Sequence, residues 1–197
     1  MDRTVVACLG DSITAGSPLW DPDPGVRARI GAALDERSQW EWWAARLDET
    51  FDFRNHGVYG ERTDEIAARL DAAAAGADVL VVQGGINDVV QKRPVEDAAH
   101  DLATMVEHGR GLGLAVVLAD VLPWNNGDAR AAADIERLNT LIAALRERLG
   151  VPLLPFHATL ADPARPGRMR DAWTDDGDHP SVEGHRQLGE RAFRLDS

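Results

Sequence analysis

Near its start the chain reads Thr4-Val5-Val6-Ala7-Cys8-Leu9 and continues directly into Gly10-Asp11-Ser12-Ile13-Thr14. The first six residues form an almost uninterrupted β-branched or apolar run, which is typical of a strand buried in a parallel sheet. Glycine, aspartate and serine follow where that strand has to end in a turn. Open α/β sheets bind ligands at the carboxyl ends of their strands, so this segment predicts a serine at the functional edge.

Four more short apolar runs follow, separated by stretches with helical periodicity. The predicted strands are residues 4–9, 51–54, 78–83, 114–119 and 151–154. The predicted helices are residues 38–47, 63–75, 95–110, 129–149 and 180–194. This alternation predicts an α/β fold with a parallel sheet, in a single domain spanning residues 1–197. Residues 17–37 are rich in proline and are predicted to form an irregular lid or binding loop.

Composition and charge exclude several classes of partner. The formal net charge of −12 repels nucleic-acid backbones and anionic membrane surfaces, so no nucleic-acid partner is expected. The first apolar run is too short for a signal-peptide core, which predicts a cytoplasmic protein. No segment approaches the roughly 20 apolar residues of a spanning helix, so no membrane insertion is expected. The single cysteine, Cys8, excludes an intrachain disulfide.

A candidate general base lies near the other end of the chain. A serine hydroxyl is a weak nucleophile until a base takes its proton. His179 stands three residues after Asp176, and Pro180 places it at the junction between a loop and the last predicted helix. A carboxylate bonded to one ring nitrogen leaves the other free to accept the proton of Ser12. Asp175 and Asp178 flank the same histidine, so the residues alone leave open which carboxylate orients it.

Two loops at the same predicted sheet edge offer oxyanion donors. Gly57 follows the second strand and can present a backbone N–H, while Asn87 follows the third strand and can present a side-chain amide. Asp88 is interpreted as a helix cap. No pair of histidines has the short helical spacing of a metal motif, and no glycine pattern would cradle a phosphate. Neither a metal nor a cofactor is expected.

Together these motifs resemble the SGNH hydrolases, also called the GDSL esterase and lipase family. The resemblance runs from Gly10 to His179, with Ile13 where the family's name has leucine. It implies a three-layer α/β/α flavodoxin-like sandwich with a five-stranded parallel sheet. It also implies the site residues: a catalytic triad of Ser12, Asp176 and His179, and an oxyanion hole formed by Ser12, Gly57 and Asn87.

The expected function is that of a serine esterase acting through an acyl-enzyme on a small or short-chain ester. Three tryptophans outside the predicted core, Trp20, Trp124 and Trp173, are candidates for walls of the substrate pocket. An acetylated sugar, a lysophospholipid or a thioester as substrate, and acyl transfer instead of hydrolysis, remain alternatives. A noncatalytic small-molecule-binding module is a more distant one. Oligomeric state is not predicted.

Overall fold

A computed structural model describes residues 3–194, and its centre is a five-stranded parallel sheet with strand order β2-β1-β3-β4-β5. The strands are β1 (Thr4–Gly10), β2 (Phe51–Gly57), β3 (Val79–Val82), β4 (Ala115–Ala119) and β5 (Leu153–Leu154). All five predicted strands are therefore present. The predicted fold class, an α/β flavodoxin-like sandwich with a five-stranded parallel sheet, is confirmed.

Strand β1 lies in the middle of the sheet, as its apolar sequence predicts. Residues 6–9 are completely buried, because β2 and β3 cover its two edges and helices cover its faces. The register pairs Gly10 with Gly57, so β1 and β2 end at the same level. Residues that follow these two strands therefore lie next to each other at the carboxyl edge of the sheet.

Ten α-helices surround the sheet within the described residues. They are α1 (Ser12–Ala15), α2 (Pro24–Ile30), α3 (Trp40–Leu47), α4 (Thr63–Ala67), α5 (Leu70–Ala74), α6 (Ile86–Val90), α7 (Val95–Gly111), α8 (Ala129–Leu149), α9 (Phe156–Leu160) and α10 (Val182–Gln187). A two-stranded antiparallel hairpin, β6 (Ala161–Asp162) and β7 (Arg165–Met169), follows α9. None of the helices in residues 3–194 is both long and apolar enough to cross a bilayer.

Each face of the sheet has its own apolar core. On one face, α4 to α8 pack around residues such as Leu80, Leu102 and Leu138. On the other, Trp40 of α3 and Phe156 of α9 meet the segment that follows α10. These two layers hold the sheet edge rigidly, which is the condition for precise placement of side chains there.

Two predicted helices differ from those in the structure. The predicted helix 63–75 is interrupted between α4 and α5 at Arg69, whose guanidinium reaches out to Glu61 and to the carbonyl oxygens of His56 and Gly10. These tertiary contacts compete with the helical conformation at the break. The predicted helix 180–194 is shorter, because α10 continues as a π-helical turn only to Ala192.

The long segment after α1 is less irregular than predicted. It contains α2, which begins where the Asp23 carboxylate accepts hydrogen bonds from the N–H groups of Gly25 and Val26. Pro24 occupies the first helical position, where its missing N–H costs nothing. A short 3₁₀ turn, Gly31–Ala33, follows this helix.

Candidate active site

Ser12 is the first residue of α1, directly beyond the end of β1. The Asp11 side chain caps this helix by accepting a hydrogen bond from Ile13 N–H at 2.9 Å. The cap forces the chain from an extended conformation into a helical turn within one residue. Ser12 is thereby held at the carboxyl edge of the sheet, almost completely buried.

Residues of β2 and of the end of β3 hold the turn that carries Ser12 in place. The Gln83 side-chain oxygen accepts hydrogen bonds from Thr14 Oγ1 at 2.8 Å and from Asp11 N–H at 3.3 Å. Asn55 Nδ2 donates to the Thr14 carbonyl oxygen at 2.7 Å. A Cβ at Gly57 would lie only 2.0 Å from Ala15 N, so glycine is required there for α1 to approach β2.

His179 reaches Ser12 from a loop 167 residues further along the chain. Its Nε2 lies 3.2 Å from Ser12 Oγ, and its Nδ1 lies 2.8 Å from Asp176 Oδ2. The loop is tied to the histidine by Thr174 Oγ1, which donates to the His179 carbonyl oxygen at 2.7 Å. A hydroxyl, an imidazole and a carboxylate thus stand in line, as nucleophile activation requires.

Of the three acidic side chains near His179, only Asp176 contacts its ring among the described residues. Asp178 Oδ1 instead accepts hydrogen bonds from Trp124 Nε1 at 2.6 Å and Asn126 Nδ2 at 2.7 Å, and Asp175 is exposed. Burial raises the pKa of Asp176, but hydrogen bonds from the His179 ring and from backbone N–H groups outweigh it and lower the pKa below its ordinary value. Asp176 is therefore ionised at neutral pH and favours a proton on Nδ1.

The backbone N–H of Gly57 already has a hydrogen-bond acceptor within the protein. It donates to Asn55 Oδ1 at 2.9 Å, and Asn55 is itself held by its bond to Thr14. This differs from the sequence-based expectation, in which Gly57 supplies a free oxyanion donor. Gly60 lies three residues further on in a left-handed turn with φ +82°. Within residues 3–194, the N–H groups of Gly60 and Ser12 donate to no protein acceptor.

Asn87 lies in the first turn of α6 and faces the same loop. Its Nδ2 donates to the Glu61 carbonyl oxygen at 2.9 Å, which uses one of the two amide protons and leaves the other available. Asp88 does not cap the helix. Its buried carboxylate accepts from Thr63 N–H at 3.0 Å and pairs with Arg93 at 2.7 Å, which fixes α6 against α4.

The three candidate tryptophans lie in different surroundings. Trp124 contacts the histidine loop through Asp178 and lines a cleft of about 190 Å³ beside Val89 and Val90 of α6. Trp20 lies under the guanidinium of Arg27, at 4.8 Å from ring centre to Cζ. Trp173 packs against the core on the α3 side of the sheet. Trp173 also holds the end of the histidine loop, because its carbonyl oxygen accepts from Ser181 N–H at 2.8 Å, whereas no described contact joins Trp20 to that loop.

Two buried titratable groups next to the site were not found from the sequence. Burial raises the pKa of Asp11 from its ordinary 3.8 to about 6, although the Ile13 N–H lowers it. Burial, together with the charge of His179, lowers the pKa of His185 to about 3. Asp11 lies within the Gly10-Asp11-Ser12 motif and His185 lies in the last helix, and neither position distinguishes a buried titratable group from an ordinary cap or core residue.

Asp11→Asn is expected to stabilise the protein at high pH. Because the folded-state pKa of about 6 lies above the unfolded value of 3.8, Asp11 favours folding at low pH and loses that contribution as the pH rises through 6. The loss corresponds to about 3 kcal/mol. Urea unfolding should therefore show that the stability of the variant relative to wild type rises by about 2 kcal/mol between pH 4 and pH 8, because part of the loss has already occurred at pH 4.

The control for this comparison is Asp23→Asn, because Asp23 caps α2 in the same way but is exposed. Asp23→Asn should not raise the free energy of unfolding at pH 8, because the Asp23 side chain is open to water. If Asp11→Asn instead loses stability relative to wild type between pH 4 and pH 8, the folded protein favours the ionised form of Asp11.

The fold is a flavodoxin-like α/β sandwich, and Ser12, His179 and Asp176 lie together at the carboxyl edge of its five-stranded sheet. The family model of the GDSL-like lipase/acylhydrolase family matches residues 8–187. The chain belongs to this family. No curated protein sequence matches it.

Solved structures of this family have the same fold. A member of the lipolytic protein G-D-S-L family from Veillonella parvula shares 17% identity over 96% of both chains, with a TM-score of 0.77. A lipase/acylhydrolase from Enterococcus faecalis shares 22% identity over 95% of this chain and 92% of its own, with a TM-score of 0.74. The W215I variant of Axe2, an acetyl xylan esterase from Geobacillus stearothermophilus, shares 18% over 97% and 93%, with a TM-score of 0.73.

Proposed function

We propose that this protein hydrolyses small or short-chain carboxylic esters through an acyl-enzyme on Ser12. The observation that carries the proposal is the line of contacts from Ser12 Oγ to His179 Nε2 at 3.2 Å and from His179 Nδ1 to Asp176 at 2.8 Å. Membership of an acylhydrolase family supports the same reaction class.

In the proposed reaction, His179 Nε2 removes the proton of Ser12 as Oγ attacks the ester carbonyl. The proton then passes from Nε2 to the leaving alcohol oxygen as the C–O bond breaks, which leaves an acyl-serine. Water, deprotonated by the same nitrogen, then attacks the acyl carbon; the bond from that carbon to Ser12 Oγ breaks, Nε2 returns its proton to Oγ, and the acid leaves. Asp176 stabilises the imidazolium in both steps and remains ionised throughout.

The proposed oxyanion donors are Ser12 N–H, Gly60 N–H and the free amide proton of Asn87. Gly60 replaces the expected Gly57, because the Gly57 N–H is already bonded to Asn55. Gly60 O accepts from Gln91 at 3.2 Å and Glu61 O accepts from Asn87, so the loop and α6 hold each other in place. A structure of the protein bound to a phosphonate tests the assignment, since the phosphonyl oxygen should lie within 3.2 Å of Gly60 N and not of Gly57 N.

Asn87→Ala is expected to lower kcat by about 10²- to 10³-fold with little change in KM, the usual cost of one oxyanion donor. Asn87→Asp, which keeps the size but loses the donor, should be equally impaired. Gln91→Ala removes two other hydrogen bonds that hold the loop, to the Gly60 carbonyl oxygen and from the Arg62 guanidinium, and serves as the control. Equal losses for Asn87→Ala and Gln91→Ala would mean that Asn87 only anchors the loop.

The function itself is tested with p-nitrophenyl acetate, butyrate and octanoate, together with mass mapping after treatment with a serine-reactive phosphonate. We expect hydrolysis of the two shorter esters and an adduct on Ser12. Faster hydrolysis of octanoate would overturn the preference for short chains. Adding an alcohol distinguishes hydrolysis from acyl transfer, because a transferase would form a new ester at the expense of the free acid. No turnover and no adduct in folded protein would favour a noncatalytic binding module.

A further inference from the structure

An exposed tyrosine lies against the ring of His179. The ring centroids of Tyr59 and His179 are 6.0 Å apart and their planes are inclined by 31°. Tyr59 is 66% exposed, whereas the His179 side chain is only 13% exposed. An aromatic ring in this position is not buried in the core, although exposing it forgoes apolar burial. Most of Tyr59 is therefore in contact with solvent beside His179.

The loop that carries Tyr59 is firmly anchored. Val58 N–H donates to the Gly10 carbonyl oxygen at 3.0 Å, which ties the loop to the end of β1. Glu61 forms an ion pair with Arg69 at 2.6 Å, and its carbonyl oxygen accepts from Asn87. Tyr59 therefore projects from a short segment held on both sides, as a preorganised binding surface requires.

The position of the Tyr59 ring beside His179 concerns the leaving alcohol of an ester substrate. The leaving alcohol oxygen takes its proton from His179 Nε2, so it has to come within hydrogen-bonding distance of that nitrogen during acylation. The acyl carbonyl oxygen instead faces the oxyanion donors. A substituent on the leaving oxygen thus begins beside the imidazole against which the Tyr59 ring lies.

Resting on the proposed esterase function, we propose that Tyr59 forms a leaving-group subsite that selects esters of ring-bearing alcohols. A flat apolar face, as in a phenol or a sugar ring, stacks on the exposed tyrosine ring, whereas a small alkyl alcohol does not cover it. The leaving alcohol is uncharged. Asp175 and Asp176 stand next to His179 and the chain carries a net charge of −12, so a phosphate-bearing leaving group would be repelled.

The test separates acylation of Ser12 from deacylation of the acyl-enzyme. Acetyl esters of phenol, of a methyl glycoside and of ethanol all give the same acetyl-enzyme, so they differ only in acylation. Tyr59→Ala is expected to lower the acylation kcat/KM for the two ring-bearing esters by about 5- to 10-fold relative to ethyl acetate. Deacylation of the common acetyl-enzyme should be unchanged, because the leaving alcohol has already departed. Tyr59→Phe keeps the ring and should restore the preference.

Val58→Ala, at the neighbouring exposed apolar residue, is the matched control and should not change the preference. If Tyr59→Ala lowers the acylation kcat/KM only for phenyl acetate, the subsite selects an aryl alcohol. If it lowers this value only for the glycoside ester, the subsite selects a sugar. Either result supports the subsite. Equal losses for all three esters, or slower deacylation, would overturn it, because Tyr59 would then act through His179. A wild-type protein that forms no acetyl-enzyme refutes the proposed function itself, and the subsite with it.

Discussion

Ser12→Ala is expected to lower kcat for p-nitrophenyl acetate by about 10⁴- to 10⁶-fold, the range seen when a nucleophile of this kind is removed. The hydroxyl contacts His179 Nε2 at 3.2 Å, and within residues 3–194 no other hydroxyl is hydrogen-bonded to that nitrogen. The remaining turnover would come from the oxyanion donors acting on water. Initial rates and intact mass after phosphonate treatment measure the loss and the missing adduct.

Ser38→Ala is the matched control for this substitution. The Ser38 hydroxyl is completely buried and has no hydrogen-bond partner among residues 3–194. Its removal should leave both the rate and the phosphonate adduct intact. A Ser12→Ala variant that still forms the adduct, or still turns over at more than a few per cent of the wild-type rate, would exclude Ser12 as the nucleophile.

Asp176→Asn is expected to lower kcat by about 10³- to 10⁴-fold. Asparagine retains an oxygen for the backbone N–H groups of Asp178 and His179, so the loop should keep its shape. Its amide group, however, presents a donor to His179 Nδ1, which moves the ring proton to Nε2 and removes the acceptor that Ser12 needs. Asp176 is 39% exposed, so water replaces part of the lost interaction and the lower end of the range applies.

The variants Asp175→Asn and Asp178→Asn test whether either of these carboxylates, rather than Asp176, orients His179. Asp175 is exposed and Asp178 bonds to Trp124 and Asn126 through an oxygen that asparagine also has. Both variants should retain kcat within about threefold of wild type, as surface substitutions away from special features usually do. A larger loss in either one than in Asp176→Asn would assign the orienting role to that residue instead.

Much of the fold was predictable because strand signals in a buried parallel sheet are strong. Continuous apolar runs such as residues 79–82 cannot be accommodated on a water-exposed surface, so each run places a strand. The short elements were not predictable in the same way. Helices of five residues, such as α6 and α9, contain too few turns to display a period, and the break at Arg69 depends on partners distant in sequence.

The sequence predicted that Ser12, His179 and Asp176 lie together, but it did not predict which glycine N–H is free. Ser12 follows β1 at the edge of the sheet, whereas Asp176 and His179 lie on a loop before α10. Which glycine N–H is free depends on the orientation of the Asn55 side chain, and that depends on its contact with Thr14. Tyr59 belongs to no recognisable motif, so only the structure shows that it lies beside His179.

The long separation of Ser12 and His179 has a consequence for the protein during its synthesis. The serine leaves the ribosome 167 residues before the histidine, an interval on the order of ten seconds at ordinary translation rates. Over that time β1 and its neighbours can pair, while Ser12 has no contact with His179. Under the proposed mechanism, a chain whose synthesis stalls before His179 can fold in part but lacks the base that Ser12 needs.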